Sequence, residues 1–506
     1  MSAATQAPPR LDEAGQDRLR LVTCLLGALA LVAGPGIAAL NPTTDALLIA
    51  ATALILLVPV VVRAVQGRFD PFEPIFIFVM AYGVMFVVRP AAMLINNDMG
   101  FMIADRSVDL QATFRPAVVL GLLGAVGFVG GYFLRAGERA AERIPAPPQP
   151  DMRRVVVGAT ALWFLGAAMY GLFLVQSSAG GSVIKLLLSG RSLELTQAYK
   201  NSSAYLYSSP FLMVAATLIL FAAALSTRNR RVLAGSVLST ILLCGLLGPT
   251  GSRTVLFPLV LGLGVIYYTT RGRRPRALSL VVVTLLALFV SSVLLDVRSS
   301  ATRQQVGAVA AVKQNVRDPL RMFVPLTRDA DAAELPALAA AVAVVPEEVP
   351  HEWGRGTLRD VLARPIPHQL WAGKPKQPKE RVIAAIWPDA YEVGAANPEF
   401  SVLLSFFIDG GYPGAVLGML LYGVLSAALY WWYLRNAASV GARAIFASAL
   451  PFIVSGVRDT PVDTLQRVGM VAFPVLVIFY FFVSPERTGR VSLPRVGRPL
   501  SARTQS

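Results

Sequence analysis

The chain has 506 residues, of which 55% are hydrophobic and 15% are charged, and its formal net charge is +16. An ordinary soluble domain is nearer a quarter charged, so this composition excludes one and indicates a membrane protein. The basic excess does not indicate nucleic-acid binding, because the basic residues punctuate apolar runs instead of clustering on a polar surface. Both cysteines, Cys24 and Cys244, lie inside apolar runs, which excludes a disulfide framework.

Apolar runs long enough to cross a membrane, about 20 residues each, recur along the chain. They predict an all-α polytopic membrane protein with about 12 transmembrane helices. The first run is interpreted as a retained helix and not a signal peptide, because no convincing small-residue cleavage site follows it. In chain order the predicted helices are 21–40, 44–62, 72–88, 116–134, 155–176, 205–226, 232–248, 254–270, 277–295, 411–434, 442–457 and 468–484.

The basic residues also predict the orientation of the chain in the membrane. With a cytoplasmic N-terminus, 24 of the 46 lysines and arginines fall in cytoplasmic segments, and 13 of the rest belong to one long loop, which the positive-inside rule does not count. Both termini are therefore predicted to be cytoplasmic and the long loop to lie outside. Four regions follow: a membrane domain of nine helices (1–295), an outward cap loop (296–410), a membrane domain of three helices (411–484) and a basic cytoplasmic tail (485–506).

The cap loop has the composition of an ordered domain. It contains aromatic anchors, and its alanine-rich stretch 332–345 predicts a helix. We therefore expect a helical cap over the outer side of the membrane domain.

The sequence contains no P-loop, dinucleotide-binding, zinc-protease or serine-hydrolase motif that would indicate a reaction. The first candidate is Arg253, which follows the turn Pro249 to Ser252 and begins the predicted eighth helix at membrane level. Backbone N–H groups at a helix N-terminus, beside a guanidinium, suit an anion. The alternative is an arginine that extends to lipid headgroups.

The second candidate is the stretch Arg364 to Lys376, whose three prolines favour an extended path. It holds Arg364, His368 and Lys374, with Trp371 among them, and this combination suits an anionic carbohydrate lipid. Trp371 is placed to stack on a sugar ring. The alternative is a rigid structural loop whose tryptophan packs into the cap.

Carboxylates at the predicted outer boundary are candidates for a general base, since reduced solvation there would raise a pKa. These are Glu399 and Asp409, for which helix caps and a turn are the alternative. Arg458 with Asp459 is either an anion contact with its orienting carboxylate or a surface ion pair. Arg191 and Lys200, in the predicted outer loop 177–204, are further candidates for an anion site, with a solvated loop face as the alternative.

Four short stretches of the sequence resemble the O-antigen polymerase family, the bacterial oligosaccharide repeat-unit polymerases. His368 stands where that family would be expected to place an arginine. The stretches are Tyr82 to Pro90, ending in Arg89-Pro90; Gly251-Ser252-Arg253; Arg364 to Pro375, ending in Gly373-Lys374-Pro375; and Glu399 to Gly414, containing Asp409-Gly410-Gly411.

The resemblance implies a C-type glycosyltransferase in the bacterial cytoplasmic membrane that acts on undecaprenyl-diphosphate-linked glycans as donor and acceptor. On this reading Arg253, Arg364, Lys374, Arg458, Arg191 and Lys200 bind the diphosphate, Trp371 and His368 bind sugar, and Glu399, Asp409 or Asp459 is the base. Arginines can neutralise a diphosphate leaving group, so no metal or other cofactor is expected. Asp329-Ala330-Asp331 has a metal-binding spacing but lies in a polar stretch of the cap. Membrane lipids and a chain-length regulator are further candidate partners.

Two other functions stay open at this point. An O-antigen ligase uses the same lipid donor with a lipid A-core acceptor, and the sequence separates it poorly from a polymerase. A transporter or lipid flippase would usually carry ionisable residues within the bilayer and repeat halves, and neither feature is found in the sequence.

Overall fold

The computed structural model describes most of the chain between residues 43 and 482. The described residues are 43–66, 70–96, 110–177, 204–248, 253–275, 282, 285–286, 288–293, 308–319, 321, 333–364, 366, 371, 373–392 and 400–482. Within these ranges the regular secondary structure is helical, and no strand occurs. The predicted helix 21–40 lies outside the described residues, as does most of the predicted helix 277–295.

The first half of the chain forms helices α1 to α10, and a π-helical turn, Val84–Val88, joins α2 to α3 without a break. The helices are α1 Thr43–Val65, α2 Pro74–Gly83, α3 Arg89–Asn96, α4 Leu110–Phe133, α5 Arg135–Arg143, α6 Met152–Ser177, α7 Ala204–Tyr207, α8 Pro210–Thr227, α9 Arg230–Leu247 and α10 Arg253–Thr270.

The second half contains the predicted cap and the last membrane helices. Its helices are α11 Ala308–Arg317, α12 Glu334–Val344, α13 Arg355–Ala363, α14 Pro378–Ile386, α15 Pro388–Glu392, α16 Val402–Arg435, α17 Val440–Ala449, α18 Phe452–Arg458 and α19 Pro461–Phe481.

Nine helical segments of the described chain are long and apolar enough to cross a membrane. Each overlaps a helix predicted from the sequence, which confirms an α-helical polytopic membrane architecture. The predicted helix 254–270 is present as α10, whose apolar part, Thr254–Thr270, is shorter than the nine.

Helix α16 extends the predicted helix 411–434 on its N-terminal side. It begins at Val402, where the Ser401 hydroxyl accepts a hydrogen bond from the Leu404 N–H at 3.1 Å. Gly410 and Gly411 have non-helical backbone angles and divide α16 into two helical segments across a kink. The second segment starts at the predicted position, and the first segment, from Val402, has no counterpart in the prediction.

Glycines let α4 and α16 approach closely along their length. A Cβ at Gly131 would collide with the Leu420 carbonyl oxygen, and a Cβ at Gly423 would collide with that of Phe128. Small residues bring the backbones of membrane helices together in this way, since burial of apolar surface adds little between helices in lipid. The α4–α16 pair forms the centre of the bundle.

The helix predicted within 332–345 is confirmed as α12, and it is buried. Its side chains from Glu334 to Ala341 have no appreciable exposure, and it packs against α4. The Glu334 carboxylate accepts a hydrogen bond from the Ser401 N–H at 3.0 Å, which ties α12 to the start of α16. This part of the cap is packed into the helix bundle.

Contacts between the segments that connect the helices define two ends of the bundle. Asp45 at the start of α1 pairs with Arg115 at the start of α4 at 2.8 Å, and we call this end, with the start of α16, the outer end, after the side of the membrane that the sequence predicts for it. At the opposite, inner end, Glu142 pairs with Arg435 at 2.6 Å, and the Asp151 N–H donates to the Phe482 carbonyl. Connections predicted to share a side of the membrane thus share an end of the bundle.

Candidate functional site

The kink in α16 opens the backbone at the outer end. Gly411 has φ 62° and ψ −152°, a conformation that favours glycine. Pro413 has no N–H, so the Asp409 carbonyl cannot make its ordinary helical hydrogen bond. The Trp353 N–H donates to that carbonyl instead, at 2.6 Å. The kink therefore creates a docking point for the cap.

The cap segment around His351 fits this docking point closely. Nδ1 of His351 lies 3.0 Å from the Ile408 carbonyl oxygen, and its ring packs edge-on against Phe407. A Cβ on Gly411 would lie 3.2 Å from Nε2 of the same ring. The glycine thus serves both the backbone conformation and the close approach of the histidine.

Asp409 is a buried carboxylate at this kink, with 5% of its surface exposed. Its Oδ2 accepts a hydrogen bond from the Thr357 N–H at 3.3 Å. Its Oδ1 has no hydrogen-bond donor among the described residues. An oxygen of this kind can accept a proton or a hydrogen bond from a bound hydroxyl.

A second carboxylate, Glu352, borders the same space. A Cβ on Gly356 would collide with Glu352 Oε2 and would lie 2.9 Å from Asp409 Oδ1, so only glycine leaves room for both. Glu352 also pairs with Arg381 of α14 at 2.8 Å and with Arg359 of α13 at 3.2 Å. We call Glu352, Arg359, Arg381 and Asp409 the kink cluster.

A second polar cluster lies at the start of α19. The Asp463 carboxylate pairs with Arg364 at the end of α13 and with Lys379 of α14, whose Nζ is 2.6 Å away. The Thr460 hydroxyl donates to the same carboxylate at 2.9 Å, and Arg364 Nε donates to Gln466 at 2.7 Å. We call these five residues the Asp463 cluster; it places two cations on one carboxylate.

Lys374 and Asp360 adjoin the Asp463 cluster. Burial, with the field of Arg364, lowers the pKa of Lys374, whose Nζ donates to the Ile366 carbonyl at 3.1 Å. Burial raises the pKa of Asp360, against the opposing fields of Arg364 and Lys379. Desolvation therefore acts on cations and carboxylate alike. Lys374 also interacts with Asp360 and Glu380, so three cations and three carboxylates are concentrated at this place.

A groove of about 460 Å³ runs along the exposed side of α13. Leu358 and Leu362 form part of its wall, although 60% and 68% of their surfaces are exposed. Trp371 lines the same groove and is 39% exposed. The guanidinium-bearing residues Arg355 and Arg359 complete the lining, so the groove is apolar with a cationic border.

The structure brings some of the predicted site residues together. Arg364 and Lys374 interact electrostatically, and Trp371 lies beside the helix that carries Arg364. Asp459 is 4% exposed and pairs with Arg467, one helical turn beyond Asp463. Arg458 directly precedes Asp459 and is the last residue of α18.

Other predicted residues cannot be placed in the same way. Arg253 begins α10, but its side chain lies outside what the structure describes. Four more predicted site residues lie outside the described residues: Arg191, Lys200, His368 and Glu399.

The sequence interpretation missed Glu352, Lys379 and Arg381. A local signal existed for the last two, since Gln377 and Glu380 have the spacing of a capping box, and the Gln377 N–H donates to the Glu380 carboxylate at 3.0 Å where α14 starts. Glu352 had no such signal, because its role depends on the kink in α16.

Among the described residues, no group of three or more histidine, cysteine, aspartate or glutamate side chains is arranged to hold a metal ion. Asp329 and Asp331 lie outside the described residues. The site combines clustered cations, a buried carboxylate with an available oxygen, and an apolar groove.

Comparison of the chain with protein-family models, with curated proteins and with solved structures gives no match. Function is therefore argued from the site itself.

Proposed function

We propose that the protein is a glycosyltransferase of the bacterial cytoplasmic membrane, with about 12 transmembrane helices, both termini in the cytoplasm and the cap outside. It polymerises undecaprenyl-diphosphate-linked oligosaccharide repeat units at the outer face of that membrane. The observation that carries the proposal is the Asp463 cluster, where Arg364 and Lys379 share one carboxylate and Lys374 lies nearby. This concentration of cationic groups suits a diphosphate.

The diphosphate would bind to these cations. Arginine and lysine make short, charge-assisted hydrogen bonds to phosphate oxygens, and donors already fixed in place stabilise charge that develops on the leaving group. Arg364 and Lys379 are held by Asp463, so little ordering is needed when the ligand arrives. Arg253, Arg458, Arg191 and Lys200 are proposed as further contacts.

The groove along α13 would take the first isoprene units of the carrier. Leu358, Leu362 and Trp371 provide apolar surface, and α13 ends at Arg364 in the Asp463 cluster. One helix would thereby bind the lipid chain along its side and the diphosphate at its end. Trp371, with His368, would also contact the first sugar.

Asp409 would act as the base. In the proposed reaction an acceptor hydroxyl attacks the anomeric carbon of the growing chain, and a new C–O bond forms. The bond from that carbon to the diphosphate oxygen breaks, and undecaprenyl diphosphate leaves with the electron pair. The hydroxyl proton passes to Asp409 Oδ1, the oxygen without a donor among the described residues. Glu399 and Asp459 are alternative bases.

The proposal is tested with Arg364→Gln and a matched variant, Asp463→Asn, in proteoliposomes supplied with lipid-linked repeat units. Both substitutions break the same ion pair. If Arg364 binds diphosphate, Arg364→Gln abolishes the polymer ladder, while Asp463→Asn keeps the arginine and retains a ladder. Equal loss in both variants, with equal loss of folded protein, would show a structural pair and contradict the assignment.

The same assay separates the alternative functions. A ligase cannot lengthen the ladder without a different acceptor, whereas the proposed polymerase lengthens it with repeat units alone. A transporter would accumulate substrate in sealed vesicles without forming a glycosidic bond. A chain-length regulator, added separately, would change the ladder's length distribution without being needed for its formation.

A further inference from the structure

A basic cleft of about 480 Å³ lies at the inner end of the bundle. Two turns form it: the turn between α8 and α9, with Arg228 and Arg230, and the turn after α10, with Arg271 and Arg273. Ala224, Leu225 and Leu233 line the remainder, together with neutral polar groups. The cleft is thus cationic around an apolar floor, and no carboxylate lines it.

The predicted orientation of the protein in the membrane does not require these four arginines to converge on one cleft. The positive-inside rule needs basic residues in the connections but not in one cleft, where like charges repel. The turn after α10 also divides its arginines: Arg274 pairs with Asp70 at 2.6 Å, whereas Arg271 and Arg273 line the cleft.

The backbone at Arg228 adds an independent observation. Arg228 ends α8 in the left-handed conformation, with φ 54°, a position at which glycine is the usual residue. A residue with a Cβ pays a conformational cost there of about 1 kcal/mol. This cost is tolerated at a position of the turn that lines the cleft.

The position and the charge of the cleft indicate which class of ligand fits it. The cleft lies at the ends of membrane helices, the level of lipid headgroups, where basic pockets between helices bind anionic lipids. Four guanidinium groups without a carboxylate suit two phosphates and not one, and the leucine floor suits the glycerol backbone and upper acyl chain. A soluble anion would not use that floor.

We infer that this cleft binds a phospholipid with two phosphates, of the diphosphatidylglycerol (cardiolipin) class. The site is at the opposite end of the bundle from the proposed glycan site and does not depend on the proposed function. Arg228, Arg230, Arg271 and Arg273 hold the phosphates, with Arg271 kept in place over the Tyr267 ring at 4.5 Å.

The test is native mass spectrometry of the full-length protein, titrated with cardiolipin and with phosphatidylcholine. The cleft variant is Arg228→Gln with Arg273→Gln. The control is Arg153→Gln with Arg231→Gln, which removes the same charge from exposed residues that do not line the cleft. We expect one cardiolipin retained selectively by the native protein, about 30-fold weaker binding in the cleft variant, and no change in the control.

Three results would overturn the inference: equal binding of both lipids, equal loss in both variants, or binding of inorganic pyrophosphate without retention of cardiolipin. Should the cleft variant not fold, a photo-crosslinkable cardiolipin is used on the native protein. Cross-links to residues 224–233 and 267–273 would support the site, and cross-links confined to other regions would overturn it.

Discussion

The two ends of the bundle use buried charge differently. At the inner end, Glu73 is 1% exposed and receives hydrogen bonds from Arg63, with a closest contact of 2.5 Å, and from Tyr132 at 3.1 Å. Asp70 receives hydrogen bonds from Arg274 at 2.6 Å and from Tyr430 at 2.9 Å. Each of these two carboxylates has one arginine and one tyrosine, and we call these six residues the inner network.

The outer end is arranged differently. Asp463 pairs with two cations at once, and Lys374 lies beside them with Asp360 and Glu380, while Asp409 has an oxygen without a donor among the described residues. A network that only stabilises the fold pairs its charges, since an unmatched buried group is costly. The contrast indicates that the inner network holds helices together and that the outer clusters keep groups available for a ligand.

The largest expected effect is on activity, in Asp409→Asn. Asparagine keeps an oxygen for the Thr357 N–H but cannot accept a proton, so the polymerisation rate should fall about 10²- to 10⁴-fold with little change in stability. The initial rate of ladder formation at saturating substrate measures this. Asp389→Asn, at an exposed position of the cap, is the control. An unchanged rate in Asp409→Asn would move the base to Glu399 or Asp459.

Arg253→Ala should also abolish polymer and leave single-repeat glycans, because it removes a cation proposed to bind the diphosphate at the start of α10. Membrane insertion should remain at the native level. Glycan length on gels, beside the amount of folded protein, measures both. Native chain lengths in this variant would remove Arg253 from the proposed site.

A substitution in the inner network should lower the stability of the protein and leave its activity unchanged. Glu73→Gln leaves Arg63 without its charged partner, and the free energy of unfolding should fall by about 3 kcal/mol. Reversible unfolding in mixed micelles provides the measurement. If this substitution lowered activity in protein that remained fully folded, the assignment of the inner network as structural would be wrong.

Asp360→Asn should have a smaller, pH-dependent effect. Because burial raises the pKa of Asp360, its folded state favours the protonated form; that contribution is present below the ordinary aspartate pKa of about 3.9 and is lost as pH rises through the raised value. The variant should therefore melt slightly above the native protein at neutral pH. This difference should shrink as the pH falls towards 4. A lower melting temperature at neutral pH would contradict the assignment.

The smallest effect is expected for Glu142→Gln, which removes the partner of Arg435. The glutamate side chain is 55% exposed, and an exposed ion pair contributes about 0–1 kcal/mol. The same unfolding measurement as for Glu73→Gln applies. A loss as large as that of Glu73→Gln would erase the distinction between buried and exposed pairs at this end.

The sequence predicts those features of the fold that depend on residues close together in the chain. Apolar runs identify the helices, and the alanine-rich run identifies α12, because each depends on neighbouring residues. The helical segment after Gly410-Gly411 is predicted, but the segment from Val402 that precedes this pair is not, although the apolar run continues on that side. A kink and a terminus have the same local signal.

Pairings across the fold have no local signal. Arg364 was identified from its prolines and neighbours, but its partner Asp463 lies 99 residues away, on another helix. The link between Glu352 and Asp409 depends on the docking of the cap at Gly356. The site could thus be located approximately from the sequence, while the distinction between paired and available groups required the three-dimensional arrangement.

The most direct test of the central claim is a cryo-EM structure of the protein with undecaprenyl diphosphate. The account predicts phosphate oxygens about 2.7–2.9 Å from Arg364 and Lys379, with the isoprene chain along α13 beside Leu358 and Leu362. Diphosphate density away from these residues, for example in the inner cleft at Arg228, would contradict it.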